Sequence, residues 1–322
     1  MRNVSARFWG ITLLLIILLV AAVVGALLIG AAQTTGAIVW EIRAPRVVIA
    51  VVVGAGLGMA GALLQGTLHN PLADPGIIGV SASAALGAVI AVALGASYGS
   101  WLAAVGATLA GLCGMWLVLW IARAPHGRSE VVTVILAGVS VTAFAAATLS
   151  AIVAVSDTAG TRSATFWTTG SLSLATWPGV WSTLPFAIVG AVIAMAISRR
   201  IDVLSLGDRA ALTVGVNVHR TRLLSLGAAV LLVAAGVAVV GVIAFVGLVV
   251  PHAVRLLIGP RHGPLLLDSA LLGALLLLAA DTVARTVVSP VELPLGVVTA
   301  IVGAPIFIVL LRRTRAAQGG WA

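Results

Sequence analysis

Nine carboxylates, five histidines and one cysteine carry nearly all the acid–base and metal-ligating chemistry open to this 322-residue chain. The acids are Glu41, Asp74, Glu130, Asp157, Asp202, Asp208, Asp268, Asp281 and Glu292. His69, His126, His219, His252 and His262 show no HxxxH-type spacing, so no metal site is predicted. Cys113 has no partner for a disulfide. All 18 basic residues are arginine. The absence of lysine removes the phosphate-binding lysine of a P-loop and the amine of a Schiff base. Nucleophile elbows and glycine-rich phosphate loops are missing as well. No catalytic residue is predicted, the chain reads as a non-enzyme, and any ATP must be bound by another subunit.

Carboxylates inside a membrane mark ion-coupled transport. The acids here are expected near surfaces or in loops. Asp281 is the deepest, and Arg285 at i+4 on the same helix face can pair with it. The pair reads as structural, which makes an ion-coupled secondary transporter the alternative expectation.

The elements that position these groups follow from composition. With 61% hydrophobic and 8% charged residues, the chain is no water-soluble domain. Apolar runs of about 20 residues cross a hydrocarbon core of about 30 Å. They predict an all-α polytopic protein, a single transmembrane domain over residues 1–322. Ten spans are expected at about Phe8–Ala31, Val47–Leu68, Ile77–Leu94, Trp101–Arg123, Val131–Val155, Trp181–Ile197, Leu223–Ala244, Val246–Ile258, Leu265–Ala280 and Leu295–Leu311. The first is too long for a signal-peptide core.

Arginine placement orients them. Arg2, Arg7, Arg123, Arg128, Arg199, Arg200, Arg209, Arg220, Arg222, Arg255, Arg261, Arg312, Arg313 and Arg315 fall on one side, and only Arg43, Arg46, Arg162 and Arg285 on the other. Fourteen against four places both termini in the cytoplasm. The net charge of +9 is therefore topological, and without aromatic interleaving it does not point to nucleic acid.

Three irregular stretches stand out. The turn from Asn70 to Gly76 lies between two apolar spans and must sit at a membrane surface or line a protein-walled passage. Residues 156–181, with Trp167, Trp177 and Trp181, are expected to lie flat on the outer surface. Residues 202–222 are expected to form one or two short cytoplasmic helices, with Gly207 and Gly215 permitting turns; a solvated loop and a docking element for a soluble subunit both fit. Gly54 and Gly58 form a GxxxG face for close helix approach.

Ordered motifs then converge: RAPR at 43–46, GALLQG at 61–66, NPLADPG at 70–76, LAGV at 136–139, GSL at 170–172, VGVNV at 214–218, FVGLVVPH at 245–252, ADTVAR at 280–285 and ELPLGVVTA at 292–300. The chain resembles the permease subunits of ABC importers for ferric siderophores, haem and cobalamin. The resemblance implies the type II ABC importer permease fold, with ten transmembrane helices per subunit in a bacterial cytoplasmic (inner) membrane. It implies a second permease copy, identical or similar, and two cytoplasmic ATPase subunits that use ATP and Mg, with no cofactor in this chain. Those subunits would dock on 202–222, through Gly207, Asp208, Arg209, Gly215 and Asn217. An extracytoplasmic substrate-binding protein would meet Arg43, Arg46 and Arg285. A gate is implied at Asn70, Pro71 and Leu72, and a second near Thr133. There Val131 and Val132 replace the hydroxyl-bearing pair of the cobalamin permease, which favours an iron chelate, haem or ferric siderophore, over cobalamin.

Overall fold

The computed structural model describes residues 2–29, 36–122, 131–156, 164–288 and 291–317. Its helices are α1 (Arg2–Leu28), α2 (Gly36–Thr67), α3 (Val80–Ala93), α4 (Trp101–Ile121), α5 (Val131–Val155), α6 (Ala164–Thr169), α7 (Trp177–Leu204), α8 (Asp208–Thr213), α9 (Val218–Val240), α10 (Val246–Ile258), α11 (His262–Thr286) and α12 (Leu295–Ala317). α6 and α8 have six residues each and cannot cross a bilayer. The other ten correspond one to one with the ten expected spans. Arg123, His126, Arg128, Glu130, Asp157 and Arg162 lie outside the described residues.

The bundle is built around α2. This helix is buried almost all round because glycines replace side chains where its neighbours cross. A Cβ added to Gly54 would stand 2.4 Å from the Gly273 carbonyl of α11, and one on Gly58 2.1 Å from the Ser269 carbonyl. Gly56 meets the Leu232 carbonyl of α9 at 2.3 Å, and Gly61 the Gly247 carbonyl of α10 at 1.8 Å, by the same construction. The GxxxG face thus extends to three partner helices. The order of these contacts makes α9 and α11 antiparallel to α2.

Two faces result. The arginine face holds the start of α2 and the end of α11. The hinge face holds the 68–79 turn, α8 and the start of α11. α3 and α10 have 14 and 13 residues, which is about 20 Å of helix each, short of a core of about 30 Å. Irregular chain completes both crossings, 68–79 ahead of α3 and 241–245 ahead of α10. Ala73, Asp74, Pro75, Ile78, Gly79, Gly241 and Ile243 of these stretches are buried in protein, one of the two settings, with the wall of a water-filled cavity, in which non-helical backbone survives at membrane depth.

Several boundaries differ from expectation. α7 runs on to Leu204 instead of stopping at Ile197, so Arg199, Arg200 and Asp202 ride on helix. α9 begins at Val218, five residues early, because the Asn217 side chain accepts from the Arg220 N–H and caps it. The 202–222 interval therefore narrows to a hairpin, 205–217, around α8. The outer segment is not a flat surface strip. Trp167 on α6 is fully buried, with Tyr98 and Phe166 edge-on to its ring. Backbone bonds from Val242 N to Trp167 O and from Ser171 N to Val240 O plug α6 into the end of α9 and the irregular return after it, and one from Leu295 N to Gly170 O ties it to the start of α12. Trp177 and Trp181 lie in the first turns of α7 and stack with ring centroids 6.3 Å apart.

Gly61→Ala should lower the thermal unfolding midpoint in detergent, by an overpacking penalty of about 1–3 kcal/mol. Gly227→Ala, where a Cβ meets nothing within 4 Å, should leave it unchanged or slightly raised. Equal midpoints for Gly61→Ala and wild type would show that α2 and α10 do not touch.

Candidate functional site

The arginine face gathers Arg43, Arg46 and Arg285, but turns all three inward. Arg46 is 8% exposed and clamped by two carboxylates. Its Nε and Nη2 donate to Asp281 at 2.8–3.0 Å, and its Nη1 and Nη2 to Glu292 at 2.9 and 3.1 Å. Paired forks of this kind are the strongest guanidinium contacts. The expected i+4 contact of Asp281 with Arg285 exists at 3.8 Å but is secondary to Arg46. Arg43 Nη1 donates to the carbonyls of Leu27 and Leu28 at 2.8 and 3.1 Å, and Arg285 Nη2 to that of Ala26 at 2.6 Å. Two cations thus cap the carbonyl end of α1, where the helix dipole favours positive charge. Arg43 sits in a π-helical turn, Val39–Arg43, at the head of α2. The wider turn carries it back towards α1. As outward cations the three arginines are a correction: each is engaged within the chain.

Where the two broken spans meet, the 68–79 turn presses on the start of α10. Phe245 precedes α10 in a left-handed conformation and offers no side-chain cap. Asp74 approaches that uncapped end instead, its Oδ2 2.7 Å from where a Cβ on Gly247 would sit. Negative charge is favoured at a helix N-terminus. The Asp74 Oδ1 accepts from Gly76 N at 2.7 Å and so holds the turn in shape as well. Gln65 of α2 donates to the Leu248 carbonyl at 3.2 Å and accepts from Arg255 at 3.1 Å, tying α2 to α10. Asn70 closes the turn by accepting from Leu72 N at 2.9 Å, while Pro71 is exposed and Leu72 half-buried. Thr133, half-buried near the start of α5, makes no hydrogen bond with these residues among those described.

His69, beside that turn, holds a left-handed backbone with φ of 50°. Its Nε2 lies 2.7 Å from the carbonyl of Leu204, the last residue of α7. Sequence reasoning missed this link, which joins the 68–79 turn to the hairpin carrying α8. In the hairpin, Gly207 and Gly215 have φ of 105° and 81°, conformations that glycine adopts without strain. Asp208 opens α8 and pairs with Arg222 at 2.9 Å across the hairpin; Arg209 is exposed. Leu206, Leu212 and Val214 project outward at 76%, 63% and 71% exposure. Those three were also missed, because short apolar stretches in a polar interval look like ordinary loop.

One acid is deeper than expected. Asp268 on α11 is fully buried, and its Oδ1 accepts from Thr12 of α1 at 2.8 Å. The apolar run around it conceals its depth, since a span that starts at His262 rather than Leu265 carries it a turn further into the bundle.

Ten apolar helices among the described residues, seven of them long enough to cross a bilayer outright, make this a multi-pass membrane protein. The chain belongs to the FecCD transport family, which it matches over residues 7–313. It is 42% identical over 286 residues to a cobalamin import system permease of Halobacterium salinarum, covering 88% of this chain and 75% of that one. It is 41% identical over 278 residues to an Fe(3+) dicitrate transport permease of Escherichia coli, covering 86% of each. It is 38% identical over 287 residues to a hemin transport permease of Yersinia pestis, covering 88% of this chain and 85% of that one. A solved metal-chelate type ABC transporter, inward-facing, superposes with a TM-score of 0.83 at 32% identity, over 94% of this chain and 99% of that one. The chain is thus a multi-pass ABC importer permease subunit.

Arg46→Met strands two carboxylates and should cost about 3–5 kcal/mol of stability, of which Arg46→Met with Asp281→Leu recovers most. Thermal melts of both in detergent check this; equal losses would deny the pairing. At the turn, Asp74→Ala leaves the Gly76 N–H without its acceptor and should cost about 1–3 kcal/mol. Asp74→Asn keeps an acceptor oxygen in place and should lose less. Melts in which the two variants match wild type would mean that the side chain does not hold the turn.

Proposed function

We propose that this permease moves an iron chelate, haem or ferric siderophore, between two permease copies by alternating access, driven by two cytoplasmic ATPase subunits that use ATP and Mg. The observation that carries the reading is the hairpin at α8. Leu206, Leu212 and Val214 stand exposed on one short polar element beyond the spans, and we read this concentration of exposed apolar side chains as a partner surface. The chain itself, without lysine, has no P-loop. Arg199, Arg200, Arg209, Arg220, Arg222, Arg255 and Arg261 gather towards the hinge face. That bias supports a cytoplasmic hinge face and cytoplasmic termini, and the Escherichia coli and Yersinia pestis relatives support residence in a bacterial inner membrane.

The hairpin is short, follows directly on α7, and is tied to α9 by the Asp208–Arg222 pair and the Asn217 cap. Displacing α8 therefore drags α7 and α9, with Gly207, Asp208, Arg209, Gly215 and Asn217 as the coupling residues. The His69–Leu204 bond would carry that motion to Asn70, Pro71 and Leu72, the proposed gate, with Thr133 at a second. On the opposite face an extracytoplasmic binding protein would dock. Arg43, Arg46 and Arg285 form the base of that surface and set its shape through their internal partners, while charge on the rim steers the encounter. Relatives named for hemin, ferric dicitrate and cobalamin are similarly close, so cobalamin is the competing substrate. The clamp of Asp281 by Arg46 counts against a proton relay and hence against secondary transport.

In proteoliposomes containing the ATPase subunits and the binding protein, uptake of labelled haem or ferric siderophore should require ATP and exceed that of cobalamin. Leu212→Asp should reduce co-purification of the ATPase subunits by about tenfold, the loss expected for burying an unpaired charge at an apolar contact. Gradient-driven uptake without those subunits would overturn the proposal.

A further inference from the structure

We propose that the cleft between the last turns of α7 and the first turn of α11 holds the headgroup of an anionic phospholipid. The cleft has a volume of about 600 Å³. Met195, Ser198, Arg199 and Asp202 line it from α7, and Arg261 and Gly263 from the start of α11. The α7 residues recur at three- and four-residue steps and so form one stripe of the helix.

Charge in the cleft is unbalanced. Arg199 and Arg261 are exposed, and neither guanidinium has an ion pair or hydrogen bond with another described residue. Asp202, the acid in the lining, is already engaged: its Oδ1 accepts from His262 N at 2.7 Å and lies 2.8 Å from His262 Nδ1. That carboxylate also meets the positive end of α11, which leaves the two arginines as the uncompensated charge of the cleft. Phosphate matches this arrangement, because guanidinium forks bind its oxygens in pairs.

Position selects a lipid over a soluble anion. The cleft straddles the point where α7 passes from the apolar run ending at Ile197 to Ser198, Arg199 and Arg200. At the apolar end of the cleft Met195 is 42% exposed, and Val192, one turn earlier on α7, is 63% exposed. An acyl chain lies against those two residues while its phosphate reaches the arginines. Basic pockets between transmembrane helices at a membrane surface bind anionic headgroups in this manner. Because α7 leads into α8, an occupied cleft also biases the position of the hairpin.

The test uses the full chain, purified in mild detergent with its ATPase subunits and incubated with equal parts of phosphatidylglycerol and phosphatidylcholine. Native mass spectrometry then counts the lipids retained. Wild type should retain phosphatidylglycerol in preference, and Arg199→Gln and Arg261→Gln should each lower that retention by about fivefold, with a larger loss in the double variant. Arg200→Gln, outside the cleft, should retain lipid as wild type does. Both target arginines are exposed, so unchanged melting curves verify folding, and the single variants stand in if the double fails. Equal retention by wild type and both single variants overturns the proposal. So does displacement of the lipid by millimolar inorganic phosphate, which would make this a site for a free anion. Loss of the ATPase subunits with phosphatidylglycerol retention unchanged would assign the cleft to that partner instead, again overturning the proposal.

Discussion

Backbone laid directly against backbone along α2 is the contact on which the bundle depends. Lipid is as apolar as a leucine side chain, so helices gain nothing in a membrane merely by hiding apolar surface from it. They gain by packing and by polar contacts that lipid cannot offer. Gly54, Gly56, Gly58 and Gly61 let α9, α10 and α11 approach until carbonyl oxygens meet α-carbons. Every polar feature of the interior is then placed relative to that column: Arg46 at one end reaches Asp281, and Gln65 near the other reaches α10.

The irregular stretches are a consequence of the same close packing. Unwound chain at membrane depth needs partners for its N–H and C=O groups. The 68–79 turn finds them in its own bends, through Asn70 and Asp74, and the 241–245 return finds them in α6. Placing one break towards each face leaves α3 and α10 as shortened helices, about two thirds of a full crossing, with Asp74 and Gly247 at the joint between the broken spans. A bundle with such joints contains segments free of the rigidity of continuous helix, which is where a pathway can change shape without unfolding the spans.

Much of this was legible in the sequence because lipid imposes so simple a rule. Each of the ten apolar runs corresponds to a helix, seven of them long enough to cross a bilayer outright, and the limits of α5 and α10 agree with the structure to the residue. Span ends were less legible where helix continues into polar chain. Arg199 and Arg200 look like a stop, yet the backbone of α7 has no reason to break there. Pairings across the chain were hidden for a different reason: Arg46 and Glu292 are 246 residues apart, and helical spacing reports only neighbours three or four positions away. Trp167 misled because tryptophan prefers interfaces on average, whereas this indole fills a socket made by the return after α9. The glycines were the most informative residues, since each one needed for close approach marks a crossing.

α1 touches the bundle lightly along most of its length, only 17% of its apolar window being buried. It is fastened at two polar points, Thr12 to Asp268 and its terminal carbonyls to Arg43 and Arg285. Its 22 apolar-span residues amount to about 33 Å of helix, slightly more than a typical hydrocarbon thickness. A free helix of that length would tilt to suit whichever bilayer it occupied. Moored at both ends, α1 has its inclination dictated by the protein, and a thinner or thicker membrane must deform around it.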